Sequence, residues 1–176
     1  MRLKNKVILI TGSYTGIGQA IARKCVAEGA KVVLNGLEDK LGQAMVYELG
    51  SDNAVHHTID ITEKDAPEIL IQKTISSFNK LDAVVNNAAI VASSNMDSTT
   101  VPYLERMLAV NTIAPFAIIK AALPFLSKSK GCVVNIGSIN SWSGEPNLLA
   151  YSISKGALMT LSRNLGDSLM RDYGVR

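Results

Sequence analysis

Thr11-Gly12-Ser13-Tyr14-Thr15-Gly16-Ile17-Gly18 decides the fold through what stands on either side of it. Upstream, Lys6-Val7-Ile8-Leu9-Ile10-Thr11 is a β-branched, apolar run of strand length. Downstream, Gly16 to Glu28 carries the apolar spacing of an amphipathic helix and is closed by Gly29. A glycine-rich turn between strand and helix leaves free N–H groups and the positive end of a helix dipole where an anion can sit. In that reading Gly12 permits the tight exit from the strand, Gly16 lets a phosphate approach the backbone, and Gly18 lets the helix pack against the sheet. The ligand this turn predicts is a dinucleotide. Glycines so placed also suit a purely structural βα turn, and the spacing is G-x-x-x-G-x-G where G-x-G-x-x-G is commoner.

Outward from the turn, strands and helices alternate. Lys31–Asn35 reads as a second strand, Glu38–Leu49 as a helix closed by Gly50, and Ala54–Thr58 as a third strand. Thr62, with Asp65 three residues on, is the expected N-cap of a helix running to Phe78. Leu81–Asn86 reads as a fourth strand, and a polar loop, Ser93–Thr99, leads into a long helical stretch reaching Leu126. Pro115 and Pro124 are expected to bend it or to end turns. Gly131–Gly137 completes the strands and Leu148–Tyr173 is a last helix. The alternation predicts an α/β fold: a doubly wound, Rossmann-like parallel sheet in three αβα layers, strand order 3-2-1-4-5, as a single domain over residues 1–176.

Composition supports one globular domain. The chain has 176 residues, 47% hydrophobic and 19% charged, and its 18 basic against 15 acidic side chains give a net charge of +3. No basic stripe suggests a nucleic-acid partner. The apolar run Val7–Ile10 is too short for a signal-peptide core of about 7–15 residues, and no uninterrupted apolar run approaches the roughly 18 residues of a membrane span. The expectation is a cytoplasmic protein with no membrane partner. Cys25 and Cys132 lack metal or redox spacing, and His56 and His57 are the only histidines, so no metal site is expected.

Further motifs follow the strands in order. Asp60-Ile61 comes after the third, Asn86-Asn87-Ala88-Ala89 ends the fourth, Asn111 lies in the middle helix, Ser138 follows the fifth, and Tyr151-Ser152-Ile153-Ser154-Lys155 falls on the last helix. Together with the glycine turn, this series resembles the short-chain dehydrogenase/reductase family along the whole chain, with Ala89 where the family carries glycine. The resemblance implies a cofactor site drawn from Gly12, Ser13, Thr15, Gly16, Ile17, Gly18, Asn35, Asp60, Ile61, Asn87 and Ala88, with Asp60 beside the adenine, and with Tyr151 and Lys155 reaching the cofactor as well. It implies Asn111, Ser138, Tyr151 and Lys155 as the catalytic group, Asn111 holding a water that links Lys155 to solvent. The implied reaction is NAD(P)-dependent hydride transfer between a secondary alcohol and a ketone, in a homo-oligomer, dimer or tetramer.

The chemistry of the residues agrees. Tyr151 and Lys155 are one helical turn apart on one face. An ammonium beside a phenol favours the phenolate and brings a tyrosine toward proton-transfer range. Ser138, at the carboxyl edge of the sheet, can hydrogen-bond a substrate oxygen. NAD is favoured over NADP because Leu37 and Thr15 offer no cation to a 2′-phosphate, while Glu38 and Asp39 would repel one. Ser93–Asp97 and Ile139–Pro146 are expected to rim a substrate pocket, whose polar character suits a small polyol, sugar acid or hydroxy acid. Apolar residues on more than one face of the last helix, Leu148, Ile153, Leu161 and Leu165 among them, suggest self-association. Gly174 fits a helix C-cap and Val175 the start of another strand, so the natural protein is expected to continue into a sixth strand and a substrate lid. The alternative is a dinucleotide-binding sensor of the same fold that performs no turnover.

Overall fold

The computed structural model describes residues 1–176. The strands are β1 (Val7–Ile10), β2 (Lys31–Gly36), β3 (Ala54–Thr58), β4 (Ala83–Asn86) and β5 (Cys132–Asn135). The helices are α1 (Gly16–Ala27), α2 (Asp39–Leu49), α3 (Ala66–Phe78), α4 (Val101–Leu108), α5 (Ala114–Ser129) and α6 (Leu149–Tyr173). All strand pairs are parallel, in the order β3-β2-β1-β4-β5. The chain winds one way from β1 to β3 and the other way through β4 and β5. A crevice therefore opens at the carboxyl ends of β1 and β4, the usual ligand position in open α/β sheets.

Side chains alternate across the sheet and build two cores. Leu9, Val33 and Val84 face Leu70, Ile118, Leu126 and Leu169 of α3, α5 and α6. Ile8, Ile10, Val32, Leu34 and Val85 face Ala22, Cys25 and Met45 of α1 and α2. The helices thus cover both faces, as the continuous apolar strands require.

Three details differ from the sequence expectation. Thr62 is not an N-cap: α3 starts at Ala66 behind Asp65, with Pro67 in its first turn, where a missing N–H costs little. The Thr62 N–H and hydroxyl both donate to Asp60 Oδ1, at 2.9 and 2.8 Å. An ionised acceptor two residues back captures them in an Asx-type turn before a helix can. Second, the middle helix passes through Pro124 and ends at Ser129, while Pro115 sits in the first turn of α5. Between α4 and α5 the backbone opens into a π-turn, Ala109–Ile113. Third, these segments form one helical run, Val101–Ser129, long and apolar enough by composition to cross a membrane, although polar residues interrupt its apolar stretches. One face of it, Ile118, Ile119, Ala122 and Leu126, is core.

At the outer edge of β5, Val133 N–H donates to the Arg176 carbonyl at 2.7 Å, and Arg176 N–H donates to the Gly131 carbonyl at 3.1 Å. The last residues therefore lie along β5 as a parallel neighbour would, with Val175 fully buried beneath them.

Candidate active site

The turn after β1 is built from both sides of the crevice. Thr11 Oγ1 accepts the N–H groups of Asn87 and Ala88 at 3.1 Å each, and Asn87 Nδ2 donates to the carbonyls of Thr11 and Gly12 at 3.0 and 2.9 Å. Gly12 and Gly16 have φ of +59° and +57°, the left-handed region that glycine enters freely. Their surroundings differ. A Cβ on Gly12 would stand 2.8 Å from Ala88 Cα, whereas one on Gly16 would meet nothing within 4 Å. Gly12 is needed for packing and Gly16 faces open space. Behind it, Thr15 caps α1 with no side-chain hydrogen bond, so the first-turn N–H groups of α1 have no capping side chain.

That space is a cleft of about 450 Å³, lined by Gly12, Thr15, Gly16, Ile17, Asn35, Asp60, Ile61, Asn87 and Ala88 of the expected set. Four expected residues stand outside it: Tyr151 and Lys155 on α6, and Ser13 and Gly18 beside the turn. Ser13 is wholly buried behind the turn, its hydroxyl donating to the Asn35 carbonyl at 3.3 Å and accepting Asn35 N–H at 3.0 Å. Gly18 lies against the Gly12 carbonyl and Ser13 Cα, which is the packing role read from the sequence. Asn35 reaches the cleft, but its carboxamide is committed to the carbonyls of His57 and Ile59 at 3.3 and 3.0 Å.

Two polar side chains of the cleft carry no signal in the sequence. Tyr14 folds inward, its ring against Gly36 and Gly42 and its hydroxyl 3.1 Å from Thr58 Oγ1 and 3.4 Å from His56 Nδ1. Burial, with the nearby Asp39 charge adding to it, raises its pKa above the ordinary tyrosine value despite the Thr58 bond. Arg106 reaches from α4 to Asp60 Oδ2 at 2.8 Å and Thr62 Oγ1 at 2.7 Å. Burial would push Asp60 upward, but its bonds from Arg106 and Thr62 prevail and hold the carboxyl below its ordinary pKa. No local spacing announces Arg106, which is one charge on an amphipathic helix.

The cleft continues past Ala89 to Ile90 and Val110, whereas Asn111, Ser138, Tyr151 and Lys155 are not among its lining residues. Ile90 clasps the fully buried Asn111 with both backbone groups: its N–H donates to Oδ1 and its carbonyl accepts from Nδ2, each at 2.9 Å. Asn111 Nδ2 also reaches Ser154 Oγ at 3.0 Å. The Asn111 carboxamide is thus occupied by Ile90 and Ser154, and it makes no direct bond to Lys155. The π-turn that carries Asn111 is a form often found at functional sites.

Lys155, 3% exposed, donates from Nζ to the Ile136 carbonyl at 2.7 Å, two residues before Ser138. Burial lowers its pKa from the ordinary lysine value. The same Nζ lies 6.0 Å from the centre of the Tyr151 ring, one turn earlier on α6. Ser138 Oγ accepts Asn140 N–H at 3.2 Å, which leaves its own proton free to donate. The short turn that follows, Ile139–Ser141, packs on α6. Lys155 therefore ties the end of the β5 segment to the helix that bears Tyr151. Ser94, expected at the pocket rim, is buried and clamps the start of α6, accepting Leu149 N–H on its carbonyl at 2.9 Å. Trp142, also expected at the rim, is 72% exposed and lines no part of the cleft.

A cleft at the reversal of a parallel sheet, floored by a glycine turn and an uncapped helix start, is the site of a dinucleotide-binding α/β protein. The family comparison narrows this: residues 6–176 match the short chain dehydrogenase family, and the chain belongs to it, which makes it an oxidoreductase. It is 35% identical over 180 residues to an uncharacterized oxidoreductase of Thermotoga maritima, covering 100% of this chain and 70% of that protein. It is 34% identical over 180 residues to the NADP-dependent (R)-specific alcohol dehydrogenase of Lentilactobacillus kefiri (99% and 71% covered), and 36% identical over 176 residues to the L-fucose dehydrogenase of Rattus norvegicus (99% and 64% covered). A crystal structure of a short-chain dehydrogenase/reductase of unknown function from Caenorhabditis elegans, with cofactor, superimposes with a TM-score of 0.93 at 29% identity, covering 100% of this chain and 68% of that one. The chain spans between 64% and 71% of the length of these relatives.

Proposed function

We propose that this protein is an NAD-preferring dehydrogenase that interconverts a small, polar secondary alcohol and its ketone. The observation that carries the reading is the placement of Lys155, buried, bonded to the Ile136 carbonyl two residues before Ser138, and 6.0 Å from the centre of the Tyr151 ring. The open space before Gly16, the uncapped start of α1 and the ionised Asp60 at the far end of the cleft fit a dinucleotide: pyrophosphate at the turn, adenine toward Asp60.

When bound, the nicotinamide supplies the site at which hydride is taken up or released. The chain's own residues handle the substrate oxygen. The Tyr151 hydroxyl exchanges the proton with it, and the free Ser138 hydroxyl donates a hydrogen bond that fixes its position. Lys155 uses one of its three donors on Ile136 and keeps two for the cofactor ribose and the proton path. Asn111 holds the Ile90 segment, and so the cofactor cleft, against the helix bearing Lys155.

The NAD preference rests on Leu37, 70% exposed at the end of β2, with Glu38 and Asp39 following and no cation at Thr15. Self-association, as a dimer or tetramer in the cytoplasm, is proposed through the helical run of α4 and α5 and through α6, which expose Val101, Ile113, Phe116 and Ile153. The test of the reaction is Tyr151→Phe. It should abolish turnover of a panel of polyols, sugars and hydroxy acids while dinucleotide affinity stays within a few fold. Activity within tenfold of the native protein would refute the role of Tyr151.

A further inference from the structure

The Asp60 carboxylate sits in a closed triangle with Thr62 and Arg106. Asp60 Oδ1 accepts Thr62 N–H at 2.9 Å and the Thr62 hydroxyl at 2.8 Å, which fills both of its acceptor positions. Thr62 Oγ1, having given its proton to Asp60, accepts from Arg106 Nη1 at 2.7 Å. Asp60 Oδ2 accepts from Arg106 Nη2 at 2.8 Å and from no other group of the protein. The carboxylate keeps one acceptor position, on Oδ2, and both Asp60 and Arg106 line the cleft.

We propose that Arg106 is a positioning residue for base selection: it pins Asp60 so that the remaining lone pair of Oδ2 accepts the exocyclic amino group of a 6-aminopurine and turns away a 6-oxopurine. This rests on the reading that Asp60 faces the base of the dinucleotide. The planar guanidinium suits the task because two of its N–H groups span Asp60 and Thr62 in fixed directions, which a lysine cannot do. Without Arg106 the carboxylate is held from one side only, by its own turn. Arg106 also stands five residues before Asn111 on the same helical run, so the contact joins the base-binding loop to the element beneath the catalytic residues. Half of the Arg106 side chain is exposed, and the pair is tied to no hydrophobic core, so its removal should spare the fold.

The experiment is a binding titration, followed by tryptophan fluorescence or calorimetry, of NAD and of nicotinamide hypoxanthine dinucleotide, in which a carbonyl replaces the 6-amino group. The native protein should prefer NAD by roughly tenfold or more, the scale of one hydrogen bond to a charged group. Asp60→Asn should remove most of that preference. Arg106→Ala should also bring the ratio to within about threefold of unity, with Arg106→Lys recovering part of it. Thermal unfolding of each variant without ligand reads the fold separately. Equal binding of both dinucleotides by the native protein would overturn the placement of the base at Asp60, and with it the proposal. A preference lost in Asp60→Asn but kept in Arg106→Ala would overturn the role of Arg106 alone and leave the site reading standing. A low melting temperature in Arg106→Ala with an unchanged ratio would likewise count against it.

Discussion

The two left-handed glycines of the turn have opposite surroundings, and alanine at each should therefore fail in a different way. Gly16→Ala places an L-residue at φ +57° with no atom within 4 Å of the new methyl. Its cost to the fold is backbone strain alone, about 1–2 kcal/mol. Gly12→Ala incurs the same strain at φ +59° and also drives the methyl to 2.8 Å from Ala88 Cα, a backbone atom that cannot swing aside. Overpacking of that kind adds about 1–3 kcal/mol, for a total of about 2–5 kcal/mol. At this chain length each kcal/mol lowers Tm by about 2–4 °C. Cofactor binding should rank them differently. The methyl of Gly16→Ala stands in the cleft where a phosphate must approach, and NAD affinity should fall at least tenfold, about 1.4 kcal/mol. The assay is thermal unfolding with and without NAD. At a concentration of about 100 Kd the native protein gains about 2.7 kcal/mol from ligand, and Gly16→Ala should show about half that gain at the same concentration. If Gly16→Ala gained as much from NAD as the native protein, the cleft before it would not be the phosphate site. If Gly12→Ala were no less stable than Gly16→Ala, the packing argument would fail.

Other outcomes follow from the same geometry. Leu37→Arg should shift the ratio of NAD to NADP affinities toward NADP, read by parallel titrations, and tighter NADP binding by the native protein would overturn the selector argument. Burial lowers the Lys155 pKa, so the unfolded state binds more protons than the folded one between that lowered value and about 10.4. Stability should therefore rise with pH across this window, and Lys155→Met should remove the rise in urea titrations at increasing pH. Asp82 behaves oppositely: burial opposes its ionisation, but bonds from Lys80, Val7 N–H and Lys6 prevail and hold its pKa below the ordinary value. Its contribution is complete above about pH 4 and is lost as pH falls through the lowered value, so Asp82→Asn should flatten the acid limb of the stability curve. Asp82→Ala should cost about 1–3 kcal/mol at neutral pH through the unsatisfied Val7 N–H. Phe116→Asp on α5 should shift light scattering from oligomer to monomer, and a native monomer at micromolar concentration would refute the assembly reading.

The first βα unit was legible in the sequence because its signals are local. A β-branched run, glycines at turn positions and a 3.6-residue apolar period each act within a few residues and point to the same structure. The strand order followed from the alternation of elements, whereas the candidate site residues rest on a family resemblance carried by motifs in the order of the strands. What lay beyond reach depended on partners far away in the chain. Ser13 and Tyr14 are both buried, yet only Tyr14 lines the cleft, because Ser13 finds both backbone groups of Asn35 behind the turn. Thr62 has the spacing of a helix cap and becomes an acceptor for Arg106 and a donor to Asp60, since an ionised carboxylate two residues away outcompetes a helix not yet formed. The continuous helix read around Asn111 opens into a π-turn whose asparagine is held by Ile90, from a loop twenty-one residues earlier. In each case periodicity determined which kind of element forms, while the competition among hydrogen-bond partners, settled only when distant segments pack, decided which side chain faces the ligand.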